Sequence, residues 1–457
     1  MRTIIEPFKI RAVEPIRMST PERRRTTLEE AGWNLFRVPA DEVTIDLLTD
    51  SGTSAMSAAQ WAGIMIGDES YAGSRSFFRF EATIASITGY PHVIPVHQGR
   101  AGERLLFSAL CRPGQIVFGN THFDTTRANL EALGVEAVDL PCPAALDTGS
   151  NDPFKGNLDV AALEQRLSEI ERGRCPFVLV TVTNNSLGGQ PVSLANLRAT
   201  RALCNRLGIP LLLDAARFAE NAYLIKLREP GEDRNSARAI ARAMFSLADG
   251  CLVSAKKDGF GNMGGFVAVR DAALAAQLRT SLVLTEGFPT YGGLAGRDLE
   301  ALAIGLDEVL DEDYLKYRTA STAYVGRALL ERDVPIVCPP GGHAIYVDAA
   351  RLLPHIPPLA LPGQALACEL FIYGGIRACE LGTLMFGRRA PGGTEYPAPR
   401  ELVRLAIPRR VYTQSHMDYV VEALGDVASE RHKLRGMRIV EQPPLLRHFT
   451  ARLEPLS

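Results

Sequence analysis

The amino-acid sequence predicts an α/β protein, with a mostly parallel central sheet in a large domain and a smaller α+β domain. Short apolar runs at Pro176–Val182 and Ile209–Phe218 flank a helical pattern that ends at Gly208. Strand, helix, strand with a glycine before the second strand is the pattern of a parallel βαβ unit. Further apolar runs at Cys251–Lys256 and Gly264–Arg270 predict two more strands.

The pattern changes after about residue 310, where long amphipathic helices alternate with a few strands. Helices are predicted at Tyr314–Arg332 and Met417–Arg431, and strands at His343–Ala349 and Leu402–Ile407. The segment before about residue 50 is too short and too rich in proline to hold its own core, so we expect it to pack with this part. The predicted domains are a large one over residues 50–310 and a small one over residues 1–49 and 311–457.

Length and composition agree with two domains and exclude several classes of protein. The chain has 457 residues, of which 46% are hydrophobic, and single cores rarely exceed roughly 250 to 300 residues. Fifty basic and 52 acidic residues leave a net charge of -2, which predicts neither a nucleic acid nor a membrane partner. The eight cysteines form no CxxC pair and the eight histidines no HExxH spacing, so no disulfide framework or zinc site is expected. The N-terminal segment lacks the apolar region of a secretory signal, and we expect a cytoplasmic protein.

Polar residues stand where three of the predicted strands end. Asp214 ends one strand, Asn185 follows another, and Ser254 to Lys257 close a third. Ligands of open α/β sheets bind beyond the carboxyl ends of the strands. These residues are therefore the first candidates for a functional site.

An acid at one strand end and a lysine at another are the pair that a pyridoxal phosphate enzyme requires. The Lys257 amine can bond covalently to the aldehyde of the cofactor, and the Asp214 carboxylate can keep the pyridine nitrogen protonated. The pair alone is a weak signal, because an Asp in this position can instead cap the helix that follows.

A phosphate cradle is predicted at the segment HQGRAGERLL. Gln98, Gly99 and Arg100 stand directly before an apolar-periodic helix, whose N-terminal amides and dipole favour an anion. Ser254 and Lys256 can complete the cradle from the lysine segment. Without these other residues, the same segment would read as an ordinary turn at the start of a helix.

Long motifs resemble those of the β-eliminating lyases nearly from end to end. They are LLTDSGT (Leu47–Thr53), GDESYAGSRSF (Gly67–Phe77), PVHQGRAGE (Pro95–Glu103), HFDTTR (His122–Arg127), GGQPVSLANL (Gly188–Leu197), DAARFAENAY (Asp214–Tyr223), SAKKD (Ser254–Asp258), EGFPTYGGL (Glu286–Leu294), RLAIPRRVYTQSHMD (Arg404–Asp418) and LLRHFTARL (Leu445–Leu453). The resemblance implies a pyridoxal-phosphate-dependent enzyme of fold type I, the aspartate aminotransferase-like class, that eliminates the side chain of an aromatic amino acid.

The resemblance also implies a role for each candidate around the cofactor. Lys257 would be the Schiff-base lysine and the base that removes the Cα proton, and Asp214 would pair with the pyridine nitrogen. Arg217 would reach the phenolic oxygen of the cofactor, and Phe123 would stack on its ring. Tyr71 would contact the phosphate and act as general acid from a neighbouring subunit.

The substrate itself would be held by its α-carboxylate. Arg404 matches the residue that binds this group as a bidentate pair. Asn185 and the backbone around Thr49 would assist it.

The family further implies a monovalent cation, typically potassium, and a homotetramer built as a dimer of dimers. Glu69 matches the carboxylate ligand, and Gly52 and Asn262 match the residues that supply carbonyl oxygens. One departure from the family is the glycine-rich run DGFGNMGG (Asp258–Gly265), which we expect to loosen the loop after the lysine.

Three positions distinguish the indole-releasing from the phenol-releasing members of the family. This chain has Leu381, Asp124 and His448 where phenol-releasing members have Arg, Thr and Phe. An apolar Leu381 gives indole a surface to pack on, whereas a buried Arg without a phenolate would cost several kcal/mol. Asp124 can accept the indole N–H or assist Tyr71 in protonating C3, and His448 can shape that wall.

The resulting expectation is β-elimination of L-tryptophan to indole, pyruvate and ammonium. The nearest alternative is elimination of phenol from L-tyrosine, which the same three positions disfavour. An aminotransferase would share Asp214 and Lys257 but would need a keto acid. A non-catalytic scaffold would need neither Tyr71 nor Arg404.

Overall fold

The computed structural model describes residues 4–389 and 392–456 of the chain. They divide into two compact units, each with hydrophobic clusters of its own. The large unit comprises Ser51–Asp147 and Asp152–Thr319, and the small unit comprises the described residues of Met1–Asp50, Thr148–Asn151 and Ala320–Ser457.

Helices occur in both units. In the described ranges the α-helices are α1 Pro21–Glu30, α2 Ala58–Ile66, α3 Arg75–Thr88, α4 Gly99–Leu110, α5 Asp124–Glu131, α6 Val160–Ser168, α7 Leu194–Leu207, α8 Phe218–Arg228, α9 Ala237–Ser246, α10 Ala272–Thr285, α11 Gly296–Glu308, α12 Glu312–Leu330, α13 Ala349–Leu352, α14 Pro362–Gly374, α15 Thr383–Phe386 and α16 Gln414–Ser429.

Strands are mostly short. They are β1 Ile45–Asp46, β2 His92–Val96, β3 Ile116–Gly119, β4 Glu136–Asp139, β5 Val178–Thr181, β6 Leu211–Asp214, β7 Gly250–Val253, β8 Gly265–Val269, β9 Ala344–Asp348, β10 Ile376–Arg377, β11 Cys379–Leu381, β12 Arg388–Arg389, β13 Glu395–Tyr396, β14 Leu402–Ala406, β15 Met437–Glu441 and β16 Arg452–Pro455.

The large unit is built on a sheet in the order β2-β8-β7-β6-β5-β3-β4. Neighbours among β3 to β7 pair in parallel, and β8 runs antiparallel to β2 and β7. The predicted α/β class with a mostly parallel sheet is confirmed. The predicted βαβ unit is β5, α7 and β6, with the Ser193 side chain capping α7 and Gly208 ending it at a φ of 68°.

Both faces of this sheet are buried. Along β5, Val178 and Val180 belong to one hydrophobic cluster and Leu179 to another, because successive strand residues point to opposite faces. A parallel sheet that is covered on both sides needs apolar side chains throughout. The predicted strands are therefore uninterrupted apolar runs, and their polar residues stand at the ends.

The small unit contains an antiparallel sheet in the order β11-β14-β9. In β14, Val403 and Leu405 join a large hydrophobic cluster with residues of α14 and α16, whereas Leu402 and Ala406 join a smaller one. The predicted helices at Tyr314–Arg332 and in the 417–431 region are present as α12 and α16, each beginning and ending somewhat earlier. None of the helices in the described ranges has the length and apolar character of a membrane span.

Candidate functional site

The carboxyl ends of β5, β6 and β7 lie next to one another. The parallel register pairs Thr181 with Asp214, and Asp214 with Leu252. Residues that follow these strands therefore emerge at one edge of the sheet. They include the buried Asn185 after β5 and Lys257 in the turn after β7.

Lys257 lies in a turn that is tied to α8. Its N–H donates to the Ser254 carbonyl at 3.4 Å, and its own carbonyl accepts the N–H of Phe260 at 3.0 Å. The next residue, Asp258, is fully buried, and its carboxylate accepts the N–H of Ala219 at 2.9 Å in the first turn of α8. Sequence reasoning assigned no role to Asp258, although a charged residue directly after the lysine was a usable signal.

Two cations act on Asp214. Burial raises the pKa of this carboxyl above its usual value, while the charges of Lys257 and Arg217 oppose the increase. Arg217 is itself buried and stands directly before α8. Both cations favour the ionised carboxylate, so the strand end carries an acid that can pair with a further positive group.

The N-terminus of α4 and the lysine turn form a tight cradle. A Cβ atom added at Gly99 would lie 2.7 Å from the Ser254 Cβ, and one added at Gly265 would lie 3.1 Å from the Gly99 amide nitrogen. Burial and the positive charge of Arg100 both lower the pKa of Lys256. Two cations thus converge on one helix N-terminus, where amides and dipole already favour an anion.

Gln98 and Phe123 occupy equivalent places in the two helices of this region. Gln98 is the residue before α4, and Phe123 is the residue before α5. Asp124, the first residue of α5, is buried, and its carboxylate accepts the N–H of Thr125 at 2.6 Å.

A buried carboxylate that sequence reasoning missed lies between α4 and α5. Glu103 accepts the hydroxyl of Thr126 at 2.6 Å and the amide of Asn129 at 2.9 Å. Burial raises the pKa of Glu103 to about 7, and the charges of Asp214 and Asp124 add to the increase. Within the PVHQGRAGE motif, only its position on the inner face of the helix distinguishes it from a surface acid.

Arg404 lies in β14 of the small unit, where it pairs with Cys379 on one side and Tyr346 on the other. Its guanidinium is buried, and one terminal nitrogen donates to the Leu48 carbonyl at 2.9 Å. The arginine is thereby fixed beside the backbone that leads into Thr49, the residue predicted to assist it.

A second arginine of the small unit, also missed, supports the same segment. Arg409 and Asp50 form a fully buried ion pair with a nitrogen to oxygen distance of 2.9 Å. Removing one partner of such a pair leaves a buried charge uncompensated. The pair therefore fixes the chain directly after Thr49.

Leu381 and His448 belong to one apolar neighbourhood of the small unit. Leu381 is buried in β11 opposite Leu402, in a cluster against which Phe36 packs. The Phe36 ring meets the ring of the buried His448 edge-on, with centroids 5.7 Å apart. Two of the three predicted leaving-group residues are thus linked by one aromatic side chain.

Tyr71 lies at the surface of the large unit, with 69% of the residue exposed. Its ring packs against Phe288 at 5.4 Å and against Tyr291 at 5.3 Å. A hydrogen bond with Tyr291 raises the pKa of the Tyr71 phenol.

The predicted cation ligands have the following contacts. The Asn262 side-chain amide donates to the Gly52 carbonyl at 3.0 Å. The Glu69 carboxylate accepts the N–H groups of Gly296 at 3.1 Å and of Arg297 at 3.4 Å, at the start of α11. No cluster of three or more His, Cys, Asp or Glu side chains that could hold a metal occurs in the described ranges.

The glycine-rich run after Lys257 is closely packed. A Cβ atom at Gly261 would lie 2.6 Å from Leu302 of α11, and one at Gly259 would lie 3.0 Å from the same side chain. Gly264 has a φ of +114°, which other residues rarely adopt. These glycines admit α11 against the lysine turn, contrary to the expected loosening of the loop.

A family model described as "Beta-eliminating lyase" matches residues 46–423. The chain belongs to the β-eliminating lyase family. It is 58% identical to a tryptophanase of Hyphomonas neptunium, over 100% of both chains, and 58% identical to a tryptophanase of Salinibacter ruber, over 100% of this chain and 96% of the other. It is also 48% identical to a tyrosine phenol-lyase of a Symbiobacterium species, over 99% of both chains.

Solved structures similar to this β-eliminating lyase include serine palmitoyltransferases. The enzyme from Sphingomonas wittichii aligns with a TM-score of 0.58 and 13% identity, over 85% of this chain and 88% of that chain. A variant of the enzyme from S. paucimobilis, solved with a bound pyridoxal phosphate–myriocin aldimine, aligns with a TM-score of 0.57 and 14% identity over the same shares. The predicted fold type I is confirmed.

The site fits the cofactor that the β-eliminating lyase family uses. Gly99 leaves space at a helix N-terminus where Lys256 and Arg100 supply positive charge for a phosphate. Asp214 stands at a neighbouring strand end for the ring nitrogen, and Lys257 stands within its electrostatic reach for the aldehyde. Pyridoxal phosphate is the cofactor of this family member.

Proposed function

We propose that this β-eliminating lyase acts on L-tryptophan and releases indole, pyruvate and ammonium. The observation that carries the choice of substrate is the buried Leu381, which lies in an apolar cluster at the position where phenol-releasing members have Arg. The identity of 58% to relatives named tryptophanase, against 48% to relatives named tyrosine phenol-lyase, supports the same choice.

Bound in the cradle, pyridoxal phosphate supplies the electron sink for the bonds at the substrate Cα. Lys257 would hold the cofactor covalently and later accept the Cα proton on Nζ. The Asp214 carboxylate would keep the ring nitrogen protonated, and the neighbouring Arg217 would donate to the ring oxygen. Phe123, at the start of α5, would cover one face of the ring, and Gln98, at the start of α4, would donate to the phosphate.

Arg404 would orient the amino acid through its α-carboxylate. The guanidinium is buried, and its bond to the Leu48 carbonyl fixes its plane. A buried guanidinium favours a bidentate carboxylate partner over water. Asn185 and the Thr49 backbone would complete the contacts to the substrate.

Release of indole requires a proton at its C3 atom, which we assign to Tyr71 with Asp124. The phenol of Tyr71 has a pKa raised above its usual value, so it stays protonated at neutral pH and can donate. Asp124 would accept the indole N–H as positive charge develops on the ring. His448 would close the wall next to Leu381.

The exposure of Tyr71 supports an assembly in which it serves a neighbouring subunit. Large apolar side chains are exposed on the same unit, among them Trp61, Met65 and Ile66 of α2 and Phe78 of α3. Surfaces of this kind mark protein interfaces. We propose a homotetramer, made of paired dimers, in which Tyr71 crosses the dimer contact.

A monovalent cation is also proposed, with the Glu69 carboxylate and the carbonyls of Gly52 and Asn262 as ligands. The closeness of Gly52 and Asn262 supports this choice. Glu69 would have to share its carboxylate between the cation and the amides at the start of α11. The cytoplasm remains our expectation for where the enzyme acts.

In the first test, the purified protein is incubated with pyridoxal phosphate and a potassium salt. L-tryptophan and L-tyrosine are then added in separate reactions, and indole, phenol and pyruvate are measured. We expect indole and pyruvate in equal amounts from tryptophan. Phenol from tyrosine instead would overturn the substrate while keeping the family. If neither product formed and amino groups passed only to an added keto acid, an aminotransferase would replace the proposal.

Variants at Leu381 test the observation on which the substrate rests. Leu381→Arg should reduce indole release by at least about a hundredfold, because it buries a charge where the indole packs. Leu381→Met conserves volume and apolar character and should cost less than about tenfold. Equal activity of the two variants would contradict a leaving-group contact at this position.

A further inference from the structure

Two buried carboxylates, Glu380 and Glu401, have no part in the mechanism above. They are 4% and 2% exposed, and they lie at the paired ends of β11 and β14, where Leu381 faces Leu402. Buried acids are rare unless they are paired or hydrogen-bonded. Their place directly beside Leu381 requires an explanation.

Both carboxylates lie close to the backbone of Gly382. A Cβ atom added at Gly382 would overlap Oε2 of Glu401 and Oε1 of Glu380. A Cβ atom added at Gly363 of α14 would also touch Glu380, at 3.0 Å from its Cγ. The two acids therefore sit side by side in a space that only glycines leave open.

The carboxylates hold the start of α15 by its amides. Glu380 accepts the N–H of Leu384 at 3.0 Å and the N–H of Met385 at 3.1 Å. Glu401 accepts the N–H of Thr383 at 3.0 Å and also its hydroxyl. Because the first amides of a helix lack partners within the helix, the two acids determine where this turn lies.

The same turn is tied to the other leaving-group residue. The Arg447 guanidinium donates to the carbonyls of Thr383 at 2.6 Å and of Leu384 at 2.9 Å. Arg447 directly precedes His448, and Leu381 directly precedes the turn. A shift of the turn would therefore move both walls of the leaving-group pocket.

One oxygen of the two carboxylates lacks a hydrogen-bond donor. Oε2 of Glu401 is buried and has no hydrogen-bond partner, although it lies next to the Glu380 carboxylate. Burial raises the pKa of Glu380 to about 7, and Arg447 opposes the increase. Burial and the Glu380 charge raise the pKa of Glu401 to about 8. Arg447 also pairs with Glu395, at 2.9 Å, so its charge is shared and cannot neutralise both acids.

We propose that Glu380 and Glu401 share one proton and act as positioning residues, which fix the turn after Leu381 and thereby the indole pocket. The proton gives Oε2 of Glu401 a partner and removes the repulsion of two buried anions. The assignment of the pocket to indole rests on the proposed function, but the shared proton does not.

Stability measurements test the shared proton without any substrate. An acid whose pKa is higher in the folded state binds its proton more tightly there, so it lowers stability as pH rises from about 4.5 to its folded pKa of about 8. Glu401→Gln keeps a donor for Glu380 and removes this titration. The melting temperature of Glu401→Gln minus that of the native chain should therefore grow by about 3 °C or more between pH 5.5 and pH 8.5.

Glu331→Gln, at an exposed acid of the same unit, is the matched control and should show no such growth. If the difference in melting temperature between Glu401→Gln and the native chain also stayed constant with pH, the shared proton would be overturned.

Kinetics test the positioning role. The ratio kcat/KM of the native chain for tryptophan should fall above pH 8, and Glu401→Gln should remove that fall and keep native activity at pH 7 within about threefold. Glu401→Ala, which leaves the turn without its acceptor, should raise KM for tryptophan at least about tenfold, while the absorbance of the bound cofactor stays unchanged. Equal pH profiles for the native chain and Glu401→Gln would exclude the positioning role.

A chain that releases no indole at all would refute the proposed function. The melting experiment would still show whether the two acids share a proton.

Discussion

Lys256 and Lys257 are adjacent in the sequence but have different electrostatic partners. Lys256 is affected by Arg100 at the N-terminus of α4, whereas Lys257 acts on Asp214 at the end of β6. A tight turn therefore gives two identical side chains different charged neighbours, and we propose that they serve two ends of one cofactor. We expect binding of the cofactor phosphate to depend on Lys256, and the covalent bond to the cofactor to depend on Lys257.

Replacing each lysine by alanine separates these roles. Lys257→Ala should abolish elimination and the visible absorbance of the covalently held cofactor, because the covalent bond to the aldehyde is assigned to the Lys257 amine. Lys256→Ala should retain that absorbance but weaken cofactor binding by about ten- to a hundredfold, as expected when a hydrogen bond to a charged group is lost. Absorbance titration with pyridoxal phosphate measures both effects. Persistent absorbance in Lys257→Ala would refute its assignment.

Asp258 supports the site without being one of the predicted cofactor or substrate contacts. It is buried and fixes the lysine turn to the first turn of α8 through the Ala219 amide. The sequence shows only an acid after two lysines, which is also the pattern of a solvated surface turn. Its role depends on α8, a helix some forty positions earlier, and only the fold brings the two together.

Among the elements, α4 and the hairpin of β7 and β8 decide the shape of the cofactor cradle. Gly99 lets the helix N-terminus approach Ser254, and Gly265 lets the hairpin approach the backbone of Gln98 and Gly99. A helix N-terminus binds an anion only when its first amides are accessible. The glycines therefore allow two elements to pack closely, in addition to the place of Gly99 at the start of a helix.

Gly99→Ala tests this approach. The added Cβ would meet Ser254 at 2.7 Å, and overpacking of this kind costs about 1 to 3 kcal/mol. We expect cofactor affinity to fall at least about tenfold. Gly102→Ala, one turn further along the same helix, would meet the Val267 side chain at 3.1 Å and the Val96 side chain at 3.5 Å. It is the control and should leave affinity within about threefold, so equal losses in both variants would contradict a specific effect at the cradle.

The parallel strands that the sequence predicted share one property. β5, β6 and β7 are continuous apolar runs, since they are buried on both faces of the sheet. β2 and β4 were not singled out, because His92 and Pro95 interrupt β2 and two exposed acids stand at the ends of β4. The buried apolar strand β3 was also missed, although its pattern is that of a central strand. An edge or partly exposed strand gives a weaker pattern than a central one.

The molecule as a whole carries buried acids that retain protons near neutral pH. Burial raises the pKa of Glu103 and of Glu380 to about 7 and that of Glu401 to about 8. In the folded state Glu103 favours its neutral form, and Glu380 and Glu401 together retain one proton. Carboxyls with lowered pKa values, such as Glu312 and Asp139, change their charge at lower pH and do not oppose this effect.

The melting temperature should therefore decrease from pH 5.5 to pH 8. Between the unfolded pKa of about 4.5 and the raised folded values, the folded chain binds more protons than the unfolded chain, so each extra proton that it retains lowers stability by up to about 1.4 kcal/mol per pH unit. Differential scanning calorimetry over this range measures the trend. A melting temperature that rises toward pH 8 would show that these acids are ionised in the fold.

The sequence by itself determined the fold class, the family and the candidate residues around the cofactor. These properties reside in local patterns, namely apolar runs at strand spacing, a glycine turn before a helix, and long motifs. The family and fold are confirmed by the comparisons, and the individual residue roles remain predictions.

Only the tertiary structure decided which residues support those candidates. Glu103, Asp258, the ion pair of Asp50 with Arg409, and the acids Glu380 and Glu401 are common charged residues in the sequence. Their importance comes from burial and from partners on distant segments. Local pattern cannot encode either property, because desolvation and close approach arise only when separate elements pack together.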